Sequence, residues 1–143
     1  MSIRKEQKEG SSIIYLIDEE NKTVTAKIPA NNAYLSVRYD CHKHHFAPYG
    51  MWSVEKEDRR NYIIGKAVCA PEDTFDVEVG KKLARVRALK KFYAIKMKAF
   101  DTIAAEYDGY LRAIEDYMNY SWLRYNDNLE IEKEICGAKE EEV

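Results

Sequence analysis

From Val79 to Tyr125 the chain repeats apolar residues at alternating steps of four and three, and no proline follows Pro71. The positions are Val79, Leu83, Val86, Lys90, Tyr93, Met97, Phe100, Ala104, Tyr107, Leu111, Ile114, Met118, Ser121 and Tyr125; only Lys90 and Ser121 are polar. A repeat averaging 3.5 residues is the seam along which one helix packs on another. The register passes unbroken through Tyr107-Asp108-Gly109-Tyr110, where a reversing loop would have no reason to keep it. The stretch 74–126 therefore reads as long helices, either one rod or two helices meeting at Gly109. A helix of about fifty residues is roughly 75 Å long at 1.5 Å per residue. One domain of 143 residues cannot cover such a seam, so a single long helix predicts a partner chain. Asn126-Asp127-Asn128 is expected to end the run, Leu129–Cys136 to add a short helix, and 137–143 to form a loose acidic tail.

The first half has the other period. Ser12 to Asp18 is rich in Ile and Tyr. Asp18 to Thr23 supplies turn chemistry. In Thr23–Pro29, Val24, Ala26 and Ile28 alternate with Thr23, Thr25 and Lys27. This is a hairpin, ended by Pro29. Asn32 to Tyr39 alternates again, with Ala33, Leu35 and Val37 on one face, and reads as a third strand. Residues 45–60 read as a loop, with room for a turn of helix. Asn61 to Cys69 is the fourth strand, and residues 1–11 are polar and expected to be loose. The expected fold is α+β: an antiparallel sheet of about four strands (12–70) before long C-terminal helices, a single domain over 1–143, and oligomeric.

Hydrophobic residues make up 45% and charged residues 34% of the chain, which places it among globular proteins with a heavily charged surface. The net charge of −2 argues against a nucleic-acid binder that relies on bulk charge. The charge is unevenly spread, however. Residues 81–98 carry Lys81, Lys82, Arg85, Arg87, Lys90, Lys91, Lys96 and Lys98 and no acid, whereas 127–142 is mostly acidic. Three widely spaced cysteines fit a reducing compartment better than a disulfide scaffold. No secretory h-region and no run of 18 apolar residues is present.

The loop before the basic run is Ala70-Pro71-Glu72-Asp73-Thr74-Phe75-Asp76. Asp73 or Thr74 can cap the following helix, and Asp76 and Glu78 suit its dipole. Phe75 at the junction reads either as a staple over the core or as a ring on which a base stacks, worth about 1–3 kcal/mol per base. Arg85 and Arg87 carry the planar fork that matches phosphate, and Arg85 shares a helix stripe with the Phe75 side. The basic run itself is either a solvated face or a phosphate-facing one.

All three histidines lie in Tyr39–Gly50, beside Cys41. Cys41, His42, His44 and His45 lack the second, distant ligand pair that a zinc site needs, so no metal is expected there. A polar loop whose histidines touch a ligand or an interface fits better. No nucleophile elbow, zinc-protease motif or phosphate loop occurs, and no catalytic residue or cofactor is assigned.

Residues 65–88, GKAVCAPEDTFDVEVGKKLARVRA, resemble a group of small phage proteins, the Thoeris anti-defence family of sponges. The shared order is a strand with Gly and Ala, a short loop with Asp-x-Phe-Asp, then a Leu-Ala-x-x-Arg-Ala helix. The resemblance implies an N-terminal antiparallel sheet, long C-terminal helices and a homo-oligomer, a dimer or hexamer. It implies sequestration, without catalysis, of a cyclic ADP-ribose-type signal in the host bacterial cytoplasm, which blocks TIR-based immunity. By the same resemblance the ligand would meet Phe75, with Asp73 and Thr74 beside it, and Arg85. Further arginines would come from the sheet region and the later helix, among Arg38, Arg59, Arg60, Arg112 and Arg124. Two other readings stand beside this one: a phage nucleic-acid-binding protein using helix 81–98, or a protein-interaction inhibitor using the tyrosine-rich helices.

Overall fold

The computed structural model describes residues 4–9 and 12–141, with side chains at 6, 8, 9 and 12–137. The elements run β1 (Arg4–Glu9), β2 (Ile13–Asp18), β3 (Thr23–Pro29), α1 (Asn31–Lys43), α2 (Met51–Glu57), β4 (Tyr62–Val68) and α3 (Val77–Glu141). The sheet order is β1-β2-β3-β4, antiparallel throughout. The chain divides into two units, Met1–Ile103 and Ala104–Val143.

In the first unit the period-2 pattern does what the sequence implies. Ile13, Tyr15 and Ile17 of β2, Val24, Ala26 and Ile28 of β3, and Ile63 and Ala67 of β4 are buried. Alternation puts these sets on one face of the sheet. That core is shared with Ala84, Ala88, Ile95, Ala99 and Ile103 of α3 and with Ala33, Tyr34, Val37 and Cys41 of α1. Small alanines let α3 lie close on the strands. The β2–β3 turn is fixed by Asp18, whose carboxylate accepts from the Asn21 backbone N–H at 3.1 Å and from its amide at 2.9 Å.

Four strands are present, but two expectations about them are corrected. Residues 32–39 are helix, not strand. Ala30, Ala33, Tyr34, Val37 and Cys41 are buried at helical spacing, while Leu35, which alternation would bury, is half exposed. The fourth strand is instead β1, within the segment expected to be loose. Its charged run Arg4-Lys5-Glu6-Gln7-Lys8-Glu9 suits an edge strand, paired through its backbone with β2. Residues 45–60, read as a loop with room for a turn, contain the two-turn α2. The loose ends expected at 1–3, 10–11 and 142–143 lie outside the described residues.

The basic face of α3 has a structural use within this unit. β4 is an edge strand, and two of its carbonyls accept from α3 side chains: Lys66 O from Arg87 at 2.6 Å and Ile64 O from Lys91 at 2.7 Å. Carbonyls two residues apart on a strand are separated by about 6.8 Å. Side chains four apart on a helix are separated by about 6 Å. The two spacings match, so a cationic i,i+4 pair covers the edge. Lys96 ties α3 to α1 by donating to Ser36 Oγ at 2.9 Å and contacting Asp40 at 3.4 Å.

α3 is one helix. Asn126-Asp127-Asn128 does not end it, and it continues to Glu141, through most of the segment expected to be a loose tail. Gly109 also stays helical, because one glycine costs only about 1 kcal/mol. Asn128 is accommodated by donating its amide to the Arg124 carbonyl at 2.7 Å. The second unit consists of this helix alone over 104–141. Among the described residues, no helix is long and apolar enough to cross a membrane.

Candidate functional site

The loop before α3 is held through its backbone. Lys22 Nζ donates to the carbonyls of Pro71 at 3.0 Å and Asp73 at 2.8 Å, and the Cys69 N–H donates to the Lys22 carbonyl at 2.9 Å. The helix cap is Asp76, not Asp73 or Thr74. Asp76 Oδ1 accepts from the N–H groups of Glu78 and Val79 at 3.0 and 3.3 Å. Asp73 and Thr74 are exposed. Phe75 is half-buried and packs against the core, close to Gly80.

Within the first unit, Arg38, Arg85 and Arg87 each face partners other than Phe75. Arg85 lies 3.4 Å from Glu9, whose carboxylate also accepts from Tyr15 Oη at 2.6 Å. Burial, and then this hydrogen bond, push the Tyr15 hydroxyl up to about 12. Arg85 lines a small cavity of about 410 Å³ together with Lys8, Glu9, Tyr15, Glu78, Lys81 and Lys82. Arg87 is engaged by the β4 edge. Arg112, in the second unit, pairs with Asp108 one turn earlier at 3.2 Å.

Arg38 is different. It stands on α1, paired with Glu55 of α2, at the wall of a cleft of about 960 Å³. Tyr39, Phe46, Tyr49 and Trp52 supply aromatic walls, and His42 and His45 supply imidazoles. Two lysines sit over these rings: Lys43 at 5.7 Å from the Tyr39 centroid and Lys56 at 4.8 Å from that of Trp52. Tyr39, Tyr49 and Trp52 are each more than 60% exposed, which marks them as surface rather than core aromatics.

Local sequence builds the cleft. α1 ends in a reversal in which His45 N–H donates to the His42 carbonyl at 3.1 Å and Phe46 N–H to the Cys41 carbonyl at 3.2 Å. This is the Schellman arrangement, normally closed by glycine. Here His45 takes the left-handed position, with φ 59°. The reversal and Pro48 then turn the chain into α2. Cys41, by contrast, points into the core, where burial raises its thiol pKa, so it is parted from the histidines. Among the described residues, no group of three His, Cys, Asp or Glu side chains is placed to hold a metal.

Behind the cleft, Asp58 braces the end of α2. It accepts from Tyr34 Oη at 2.6 Å and from Arg60 Nε and Nη2 at 2.9 and 2.7 Å. The Arg60 hydrogen bonds hold the Asp58 carboxyl well below the usual range. Burial, and then the bond to Asp58, push the Tyr34 hydroxyl up to about 12.

The sequence reading reached Arg38 and the histidine loop but missed Tyr39, Phe46, Tyr49 and Trp52. The available signal was helical. Leu35, Arg38, Tyr39 and His42 recur at i, i+3, i+4 and i+7, and only a helix places them on one stripe. No protein-family model, curated protein or solved structure matches the chain.

Proposed function

We propose that the protein binds a cyclic ADP-ribose-type signalling nucleotide without cleaving it, and by holding that signal blocks TIR-based bacterial immunity. The observation that carries this reading is the α1–α2 cleft of about 960 Å³, lined by the rings of Tyr39, Tyr49 and Trp52 and by the Arg38 guanidinium, with Lys43 and Lys56 lying over the Tyr39 and Trp52 rings. Its volume falls at the upper end of the range for small-ligand sites. An adenine has a π-face for Tyr39, Tyr49 or Trp52, and a pyrophosphate has charge for Arg38. One Nη of Arg38 meets Glu55, and the guanidinium has further N–H donors. The resemblance at 65–88 supports the ligand class; the α1–α2 cleft is the site proposed for it, in place of the Phe75 loop that the resemblance implies.

The nucleic-acid reading of helix 81–98 is weaker on this geometry. Arg87 and Lys91 close the β4 edge, Lys96 braces α1, and Arg85 faces Glu9.

The test is thermal unfolding with and without micromolar cyclic ADP-ribose isomers, followed by mass spectrometry of the ligand released on denaturation. A ligand at a hundred times its Kd stabilises by about 2.7 kcal/mol. A raised Tm with intact ligand recovered is expected. No shift with any isomer, or recovery of a cleaved product, overturns the reading.

A further inference from the structure

The seam of α3 is not the face that packs on the sheet. Ala84, Ala88, Ile95, Ala99 and Ile103 are buried, while Val79, Leu83, Val86, Tyr93, Met97 and Phe100 of the seam are exposed. At about 100° per residue the two sets lie roughly 150° apart around the helix. The exposure continues through Tyr107, Leu111, Ile114, Met118 and Tyr125, and the apolar seam residues named here are 36% to 66% exposed. A 3.5-residue period over this length specifies another long helix as the occupant, because only a helix presents knobs at that spacing.

The seam's polarity identifies which helix. An antiparallel pair brings first and fourth heptad positions of one strand opposite the fourth and first of the other. In the register that sets Lys90 opposite Ser121 of a second α3, Val86 faces Tyr125, Tyr93 faces Met118, Met97 faces Ile114 and Phe100 faces Leu111. The two polar seam positions then meet each other, and every apolar one between 86 and 125 meets an apolar one. A parallel in-register pair would instead stack Lys90 on Lys90 in an apolar seam.

The charge along α3 agrees. Residues 77–103 hold eight Lys or Arg against two acids, four of the cations (Arg85, Arg87, Lys91 and Lys96) already facing partners in the first unit, and 104–137 hold eight acids against three Lys or Arg. Antiparallel pairing sets the basic stretch of one copy along the acidic stretch of the other, whereas parallel pairing sets like on like. A hole for the partner's side chain is present in α3 itself. Ile114, Tyr117, Met118, Ser121, Trp122 and Tyr125 line a groove of about 680 Å³, where Tyr93 of the second copy would insert.

We propose that the chain forms an antiparallel dimer through α3, with Lys90 of each copy facing Ser121 of the other.

Two experiments on the full chain test this. Sedimentation equilibrium is expected to show a dimer at micromolar concentration, and a monomer throughout that range overturns the proposal. Ser121→Lys is expected to raise the dimer Kd at least tenfold by placing two lysines face to face. Ser121→Glu is expected to lower it several-fold at low salt. If both substitutions weaken the dimer, the pairing is parallel and the proposal fails; if neither changes it, Ser121 is outside the interface and the proposal fails. Orientation has an independent readout in a Cys69→Ser, Cys136→Ser background. Met97→Cys and Ile114→Cys chains should form a disulfide under mild oxidation only when mixed. Cross-linking of either variant with itself overturns the register.

Discussion

Gly65 of β4 lies against the backbone of α3: a Cβ built there would stand 2.2 Å from the Ala84 carbonyl oxygen and 2.3 Å from the Ala88 nitrogen. The neighbouring atoms are backbone, so no rotamer change relieves the clash. The glycine is needed for close approach, because Arg87 and Lys91 reach the β4 carbonyls only with the helix this near. Gly65→Ala is expected to destabilise the fold by about 3 kcal/mol or more. Urea unfolding should show a lower midpoint with an unchanged m-value.

The Tyr34–Asp58 bond predicts how stability depends on pH at both ends of the scale. Asp58 is depressed in the fold, so its contribution is present above the unfolded carboxyl value of about 3.9 and is lost as pH falls below it. Tyr34 is raised to about 12, so its contribution is whole below the unfolded phenol value of about 10 and is lost as pH rises through 10 to 12. Tyr34→Phe should reduce the alkaline loss and keep the acid one, since Arg60 still holds Asp58. Tyr15, also raised to about 12, keeps its own alkaline share. Asp58→Asn should flatten the acid limb. Each substitution should cost about 1–3 kcal/mol at pH 7, read from denaturant curves across pH.

His45 occupies a left-handed position at φ 59° where glycine is normally found. A side chain there costs about 1 kcal/mol. His45→Gly is therefore expected to raise stability by about that amount. On the proposed function it should also weaken nucleotide binding by removing an imidazole from the cleft. Denaturant melts and titration calorimetry together check the opposed signs.

Trp52 and Phe75 should separate binding from folding. Trp52 is 63% exposed in the cleft, so Trp52→Ala is expected to leave Tm within a degree or two while lowering affinity about 10- to 100-fold. Phe75 packs on the core, so Phe75→Ala is expected to cost about 2–3 kcal/mol of stability and leave affinity within about twofold. Calorimetric titration with a cyclic ADP-ribose isomer that raises Tm, alongside urea melts, distinguishes them. The reverse pattern would return the ligand to the Phe75 loop.

Much of the fold was legible because local pattern and tertiary use agreed. Val24, Ala26 and Ile28 alternate in the sequence and point into the core, and Pro29 closes their strand. The segment 32–39 misled because Ala33, Leu35 and Val37 fit period 2 as well as Ala33, Tyr34, Val37 and Cys41 fit the helix. Over eight residues the two periods overlap, and only docking against α3 and the sheet decides between them. β1 carried no apolar signal at all, since an edge strand is recruited by its neighbour's unpaired backbone. The candidate cleft was half visible. Its histidines and Arg38 drew notice, but its rings come together only once 31–43 is known to be a helix.

By itself the sequence determined the β2–β3 hairpin, the strand β4 and the 3.5-residue seam, because each is a periodicity that the backbone imposes within one element. Tertiary structure decided what those elements face. The alanine side of α3 lies on the sheet, its arginine and lysine close the β4 edge, and Phe75 goes to the core while the rings of α1 and α2 stay at the surface. The physical reason is that a side chain's partner depends on how closely two backbones approach, and at β4 and α3 that distance is set by Gly65 and Ala84, residues that leave no mark in a hydrophobic pattern.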